Sequence, residues 1–209
     1  GKLTDELRES INTAITMTVL EDLYAPYKKK RRTRAMLARE KGLEPLAELI
    51  LTQSAEGSPE ELAKQFLNEQ VTDVAEALQG ARDIVAEMIS ENANVRAMVR
   101  EKALKFSKIR VEKIKDAVDE KAVYQSYYEF ENRVDRLQPH QVLAITRGEK
   151  EGVLRVHVGV LERDWLDAVQ AEFEQDIISP FADQLELAIR DSAERLLLPA
   201  IERDVRREK

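Results

Sequence analysis

Thr72–Ile89 reads TDVAEALQGARDIVAEMI, and apolar side chains recur along it at the three- and four-residue spacing of an α-helix. The apolar stripe consists of Val74, Leu78, Ala81, Val85 and Met88, with Ala77, Ile84 and Ile89 beside it. Polar and charged residues fill most of the remaining positions. A helix with this division buries one face and exposes the other, so the stretch predicts a long amphipathic helix.

Helical signals also precede this stretch. Capping boxes at Thr18–Glu21 and Ser58–Glu61 predict two helix starts, the first helix running to about Tyr24 and the second to about Leu67. An apolar stripe at four-residue spacing predicts a helix before both of them. Its members are Leu3, Leu7, Ile11 and Ile15.

Single residues mark further helix ends. Gly42 predicts a left-handed cap, Pro45 the first turn of the next helix, and Asn94 the cap of a helix that follows the long one. Periodicity predicts another helix, with a buried aromatic cluster, over Tyr124–Leu137. From residue 179 to the end we expect one long helix, kinked or split by its internal proline.

Two stretches show the alternation of β-strands, Phe106–Glu112 and Gly152–Val160, and we expect them to pair. The sequence therefore predicts a mainly α, multi-helix fold with long helices and a minor β-strand pair. We expect three regions: a helical N-terminal region at 1–104, a central helical and minor-strand region at 105–178, and a long C-terminal helix at 179–209.

Composition excludes several classes of protein. The net charge of -7 and the pI near 5.2 oppose a surface that wraps nucleic acid everywhere, so any phosphate contact must be local. With 0 cysteines, disulfides, thiolate zinc sites and cysteine nucleophiles are excluded. No apolar run approaches the roughly 20 residues that span a bilayer, and we expect a cytoplasmic protein without membrane contact.

One segment opposes the acidic average, the basic run KKKRRTR at residues 28–34. Its cations suit phosphate groups, and two flanking tyrosines suit stacking on bases. The alternative is a solvated interhelical loop whose arginines pair with Glu21, Asp22 or Glu40 and add little stability. The candidate nucleic-acid-binding residues are Tyr24, Tyr27, Lys28, Lys29, Lys30, Arg31, Arg32 and Arg34.

No catalytic pattern accompanies this segment. His140 and His157, the two histidines, lack a ligand partner at helical spacing, and pairs such as Asp116 with Asp119 lie in no catalytic motif. We expect His157 to be a surface strand residue and Trp165 to pack at a helix end rather than to anchor a partner. The sequence therefore predicts no enzyme, no metal and no cofactor.

Several stretches carry a family resemblance. Residues 20–34, LEDLYAPYKKKRRTR, continue into residues 38–47, AREKGLEPLA, and residues 143–154 read LAITRGEKEGVL. Shorter stretches, GARDI at 80–84 and DSAERLLLP at 191–199, occur in the same order as in the family. Together they resemble the Tex family of bacterial transcription accessory proteins over most of the chain.

This resemblance implies a multidomain protein in which helical regions precede an RNase H-like domain, helix-hairpin-helix elements and an OB-fold RNA-binding domain. The chain would be the part before the RNase H-like domain, docking onto those domains, and residues 203–209 still read as helix, as we expect for a piece of a longer protein. The family's nucleic-acid binding is credited mainly to the OB-fold domain.

The residues and the resemblance together predict a non-catalytic scaffold segment of a Tex-like transcription accessory protein. It would support RNA or DNA binding and transcription regulation. Two alternatives stay open: a protein-interaction module that docks onto the transcription machinery through its helical faces, and part of an RNase H-like nuclease.

Overall fold

The computed structural model describes residues 4–24 and 32–208, and over them the predicted mainly α-helical fold with a small sheet is confirmed. The helices are α1 (Asp5–Thr13), α2 (Met17–Tyr24), α3 (Arg34–Glu40), α4 (Glu44–Thr52), α5 (Pro59–Ala63), α6 (Val74–Glu91), α7 (Ala93–Phe106), α8 (Pro139–Lys150), α9 (Glu162–Gln170), α10 (Ala182–Asp191) and α11 (Leu198–Glu208). The strands are β1 (Lys108–Lys113), β2 (Glu129–Arg133) and β3 (Leu154–Gly159).

The chain divides into two compact units. The helical unit comprises residues 1–97 and 167–199, and the sheet unit comprises residues 98–166 and 200–209. The three-region division at 104/105 and 178/179 stays a prediction.

The centre of the helical unit is α6, the helix predicted from residues 72–89. It packs against α3, α4 and α10, and Ala81, Ile84 and Ile89 are fully buried on it. Burial extends around the helix to Glu87, whereas Met88 is 42% exposed, so its assignment to the buried stripe was wrong. Neighbours on several sides of α6 explain why burial departs from a single stripe.

Local capping explains most helix boundaries in this unit. Ser58 Oγ accepts a hydrogen bond from the Glu61 amide at 3.2 Å, Pro45 lies in the first turn of α4, and Gly42 has a φ of 81°, as predicted. Helix α5 ends at Ala63 and continues as a 3₁₀ turn, Lys64–Phe66, rather than as α-helix to Leu67.

Two predicted caps are displaced by two residues. Thr16, not Thr18, precedes α2, and its Oγ accepts from the Val19 amide at 3.3 Å. Asn92, not Asn94, caps α7, because its Oδ1 accepts from the Asn94 and Val95 amides at 2.9 and 3.0 Å. The predicted first helix is confirmed as α1. Of its predicted apolar stripe, Leu3 lies outside the described residues, and Ile15 lies beyond the end of the helix and is 96% exposed.

The sheet of the sheet unit has the strand order β2-β1-β3 and is antiparallel throughout. The predicted pairing of the two strands is confirmed as β1 with β3. The helix predicted over Tyr124–Leu137 is wrong, because Glu129–Arg133 forms β2 along the other edge of β1, between short 3₁₀ turns. Pairing with a distant strand overrides the local helical periodicity.

The inner face of this sheet forms the core of the sheet unit. Ile109, Val111 and Val156 are buried on it, and helix α8 packs against β3. Gly148 allows this approach, because a Cβ atom there would lie 2.6 Å from Leu154 Cδ1. The aromatic cluster is partly as expected: Tyr124 is buried, but the paired rings of Tyr127 and Phe130 are half-buried.

The predicted C-terminal helix is interrupted before its proline. Helix α10 passes into a π-helical turn, Ser192–Leu197, and Pro199 is the second residue of α11. Because proline has no amide hydrogen and its ring crowds the carbonyl four residues earlier, the wider turn accommodates it.

Candidate nucleic-acid interface

Tyr24 forms the N-terminal border of the predicted basic site. It is the last residue of α2, and its side chain is 55% exposed. Asp22 fixes this helix within the helical unit, because its Oδ1 accepts from Arg96 Nε at 2.6 Å and both side chains are largely buried. The ring of Tyr24 is therefore displayed from an anchored helix.

Arg32 and Arg34 form the C-terminal border of the site. Thr33 lies between them and caps α3, its Oγ accepting from the Met36 amide at 3.1 Å. Arg32 Nη2 lies 2.5 Å from Glu40 Oε2, and both side chains are more than half exposed. This is one of the ion pairs that the solvated-loop alternative predicts, and at such exposure it holds Arg32 weakly.

Arg34 is exposed at the first position of α3. Since the N-terminus of a helix carries a partial positive charge, an arginine there adds to the positive field instead of neutralising it. The predicted site residues between the two borders, Tyr27, Lys28, Lys29, Lys30 and Arg31, lie outside the described residues.

Arg39 of α3 and Lys41, the residue after this helix, have carboxylate partners on α6. Arg39 Nη1 lies 2.7 Å from Glu87 Oε2, and Lys41 Nζ lies 2.6 Å from Glu76 Oε1. Two hydrogen bonds lower the pKa of Glu76 below its ordinary value, the larger effect coming from Lys41 and the smaller from the Thr72 amide. The C-terminal part of α3 is therefore balanced in charge, whereas the exposed Arg34 interacts electrostatically with the carboxylate of Asp83 on α6.

A buried carboxylate lies further along α6. Burial raises the pKa of Asp83, and the nearby charge of Arg195, whose Nη2 lies 3.2 Å from Asp83 Oδ1, opposes that rise. Burial also lowers the pKa of Arg82 on the same helix. Asp83 and Arg195 therefore form a largely buried ion pair within the helical unit.

The outer face of the sheet is a second charged surface, which the sequence interpretation did not nominate. Across the strands, Lys108 faces Arg133, Arg110 faces Glu131 and His157, and Glu112 faces Glu129 and Arg155. Hydrogen bonds from Lys108 and Arg110, at 2.6 and 3.3 Å, lower the pKa of Glu131. The alternation of charged and apolar residues in the two predicted strands could have indicated this face. Its charge balance could not be predicted, because the balancing carboxylates Glu129 and Glu131 lie on β2, which was predicted as helix.

Among residues 4–24 and 32–208, no group of three or more histidine, aspartate and glutamate side chains could hold a metal ion. His140 and His157 are both exposed, and Trp165 is 6% exposed within α9. Within the same described ranges, no helix has the length and apolar character that a bilayer crossing requires.

The sequence of this chain is similar to a known protein family and to several longer proteins. The family described as Tex central region-like matches residues 54–207. Protein tex of Bordetella pertussis is 45% identical over 78% of the chain and 21% of its own length, and protein YdcI of Bacillus subtilis is 40% identical over 99% of the chain and 29% of its own length.

A third relative, the transcriptional accessory protein Tex of Neisseria gonorrhoeae, is 37% identical over 87% of the chain and 24% of its own length. The chain thus spans less than a third of the length of each of these relatives. Because the family match covers most of the chain, the chain belongs to the Tex family.

Proposed function

We propose that this chain is a non-catalytic scaffold segment of a transcription accessory protein and that it contacts RNA or DNA through residues 28–34. In this proposal Tyr24 and Tyr27 stack on unpaired bases, while the cations between Lys28 and Arg34 meet backbone phosphates. The contact is local, because the chain as a whole is acidic.

The position of the exposed positive charge carries this proposal. Arg39 and Lys41, in the second half of α3 and just after it, are paired with carboxylates of α6. Arg34, the last residue of the basic run, is exposed at the helix N-terminus, and the exposed ring of Tyr24 lies before the other end of the run. The positive charge of this part of the chain is therefore concentrated where aromatic side chains accompany it.

The wider setting is part of the same proposal. The relative from Neisseria gonorrhoeae is a transcriptional accessory protein by name, and all three relatives named above are several times longer than this chain. We place the chain in the cytoplasm, ahead of an RNase H-like domain, helix-hairpin-helix elements and an OB-fold domain onto which its three regions dock. The OB-fold domain would provide the main binding, and residues 28–34 an additional contact.

The experiment is equilibrium binding by fluorescence anisotropy with single- and double-stranded RNA and DNA across a salt series. The test variant changes Lys28, Lys30, Arg31 and Arg32 to alanine. The control variant changes four exposed cations elsewhere, Lys64, Lys115, Lys121 and Lys150, and thus removes the same charge. We expect binding that weakens steeply with salt, is abolished in the test variant and is retained in the control.

Other outcomes favour the alternatives. Equal weakening of binding in both variants would mean that net charge, and not this segment, governs the contact. A salt-insensitive interaction with a polymerase component would favour the protein-interaction module. Metal-dependent cleavage of RNA or DNA by this chain would favour a nuclease.

A further inference from the structure

The loop between α9 and α10 displays two isoleucines to solvent. Ile177 is 87% exposed and Ile178 is 89% exposed. Exposing aliphatic side chains of this size forgoes the favourable free energy of removing them from water. Two adjacent aliphatic side chains in this state form an apolar surface that suits a partner.

This loop is held in place by hydrogen bonds within the helical unit. The Gln53 side chain donates to the Glu174 carbonyl at 2.8 Å and accepts from the Asp176 amide at 2.6 Å. Ser179 Oγ donates to the Gln53 carbonyl at 3.1 Å, and Asp176 Oδ1 accepts from the Ile178 amide at 3.0 Å. The two isoleucines are therefore presented from an ordered loop, which lowers the entropic cost of docking.

The charges around the isoleucines are negative. Glu172, Glu174 and Asp176 are all exposed in the residues that precede them. Such a flank repels nucleic acid, whose phosphates carry the same charge. A fitting partner surface combines an aliphatic cleft with cations at its border.

The sheet unit contains a cleft of this kind. It has a volume of about 310 Å³, at the lower end of the range for binding pockets. Its floor is aliphatic and comes from the inner face of the sheet, from α8 and from Leu137, two residues before α8. The floor residues are Ile109, Leu137, Val142, Ile145 and Val156.

Arginines of α11 form the border of this cleft. Arg206 pairs with Glu149, and Arg207 Nη2 lies 2.9 Å from Asp204 Oδ1. Arg203 is exposed and has no ion-pair partner among residues 4–24 and 32–208. Its guanidinium is available for an external carboxylate, which it binds with two parallel hydrogen bonds.

We propose that the Ile177–Ile178 loop of one copy of this chain docks into the arginine-bordered cleft of a second copy. The isoleucines cover the aliphatic floor, and the acidic flank of the loop meets Arg203. Because loop and cleft are different surfaces, the association is head-to-tail and continues beyond a dimer as the concentration rises.

The test is sedimentation velocity of the purified chain, free of nucleic acid, at concentrations from about 10 µM to about 1 mM, since a contact this small implies a dissociation constant on the order of 100 µM. We expect the average mass to rise with concentration. Ile177→Ser with Ile178→Ser should raise the dissociation constant at least about tenfold. Arg203→Glu should raise it roughly fivefold.

Mixing the two variants separates this geometry from any other association. The double isoleucine variant keeps its cleft, and the Arg203→Glu variant keeps its loop, so one productive contact remains between unlike partners. We expect the mixture to form heterodimers that do not grow into larger species. All changed side chains are exposed, so thermal unfolding monitored by circular dichroism should match the unchanged protein.

Three results would overturn the proposal. The first is a monomer at every concentration. The second is an association that survives the isoleucine substitutions or fails to reappear in the mixture. The third is binding of single-stranded RNA that Arg203→Glu abolishes, which would assign the cleft to nucleic acid.

Discussion

The helical unit and the sheet unit are stabilised by interactions of different range in sequence. In the helical unit, one 18-residue helix, α6, carries most of the apolar pattern, and its neighbours pack against it. In the sheet unit, none of the three described strands exceeds 6 residues, and β1 is completed by two strands that both follow it in the sequence, Lys108 pairing with Arg133 of β2 and with Gly159 of β3. The conformation of a long periodic segment is determined by its own sequence, whereas that of a short strand is determined by the strands with which it pairs.

The largest expected effect concerns the centre of the helical unit. Ile84→Ala should lower the free energy of unfolding by about 2–5 kcal/mol, because Ile84 is fully buried in α6 and its truncation leaves a cavity. Met88→Ala, one turn later on the same helix, is the control, since Met88 is 42% exposed. Chemical denaturation measures both. Similar decreases for the two variants would mean that α6 is not the core assigned to it.

The next effect concerns the contact of α8 with β3 in the sheet unit. Gly148→Ala should lower the free energy of unfolding by about 1–3 kcal/mol, although alanine favours helix, because the added Cβ would lie 2.6 Å from Leu154 Cδ1 and 3.0 Å from Tyr124 Cδ1. The double variant Gly148→Ala with Leu154→Val should lose less free energy of unfolding than the two single variants lose together. A stabilising Gly148→Ala would contradict this close packing.

The difference between the units also explains what the sequence could predict of the fold. Helix α6 and the caps at Gly42 and Ser58 depend on residues within one or two turns, and they were predicted correctly. Strand β2 was not, because Tyr124–Leu137 has helical periodicity and its pairing with β1 is a tertiary contact. The displaced cap at Asn92 has a local cause, since another asparagine two residues later has the same capping propensity.

Less of the candidate sites could be predicted. The basic run could be recognised in the sequence. Its pairing with Glu40 was one of the predicted alternatives, and Arg32 forms that ion pair. The exposure of Ile177 and Ile178 has no sequence signal, since adjacent isoleucines normally indicate a buried segment. The arginine-bordered cleft likewise combines residues from β1, α8 and α11 that are distant in sequence.

The smallest expected effect concerns pH and the loop between β1 and β2. Hydrogen bonds from the Tyr124 and Val123 amides and the Tyr128 hydroxyl hold the pKa of Asp119 below its ordinary 3.8. A lowered carboxyl pKa gives stability that is present above 3.8 and is lost as the pH falls through the lowered value. Asp119→Asn should remove that part of the acid dependence of the melting temperature.

Asp116→Asn is the matched control for this change. Asp116 is an exposed carboxylate in the same loop with a φ of 64°, a conformation that asparagine tolerates. Its acid profile should follow that of the unchanged protein. Identical profiles for the Asp119 variant and the unchanged protein would show that Asp119 does not stabilise the loop through its charge.

The most direct test of the account is the salt dependence of single-stranded RNA binding, measured for the unchanged chain and for the variant in which Lys28, Lys30, Arg31 and Arg32 are alanine. Each cation that binds a phosphate contributes about 0.7 to the slope of log K against log salt, so replacing it should reduce the slope by that amount. We predict a slope smaller by roughly 2–3 in the variant. An unchanged slope would contradict the assignment of residues 28–34 as the phosphate-binding segment.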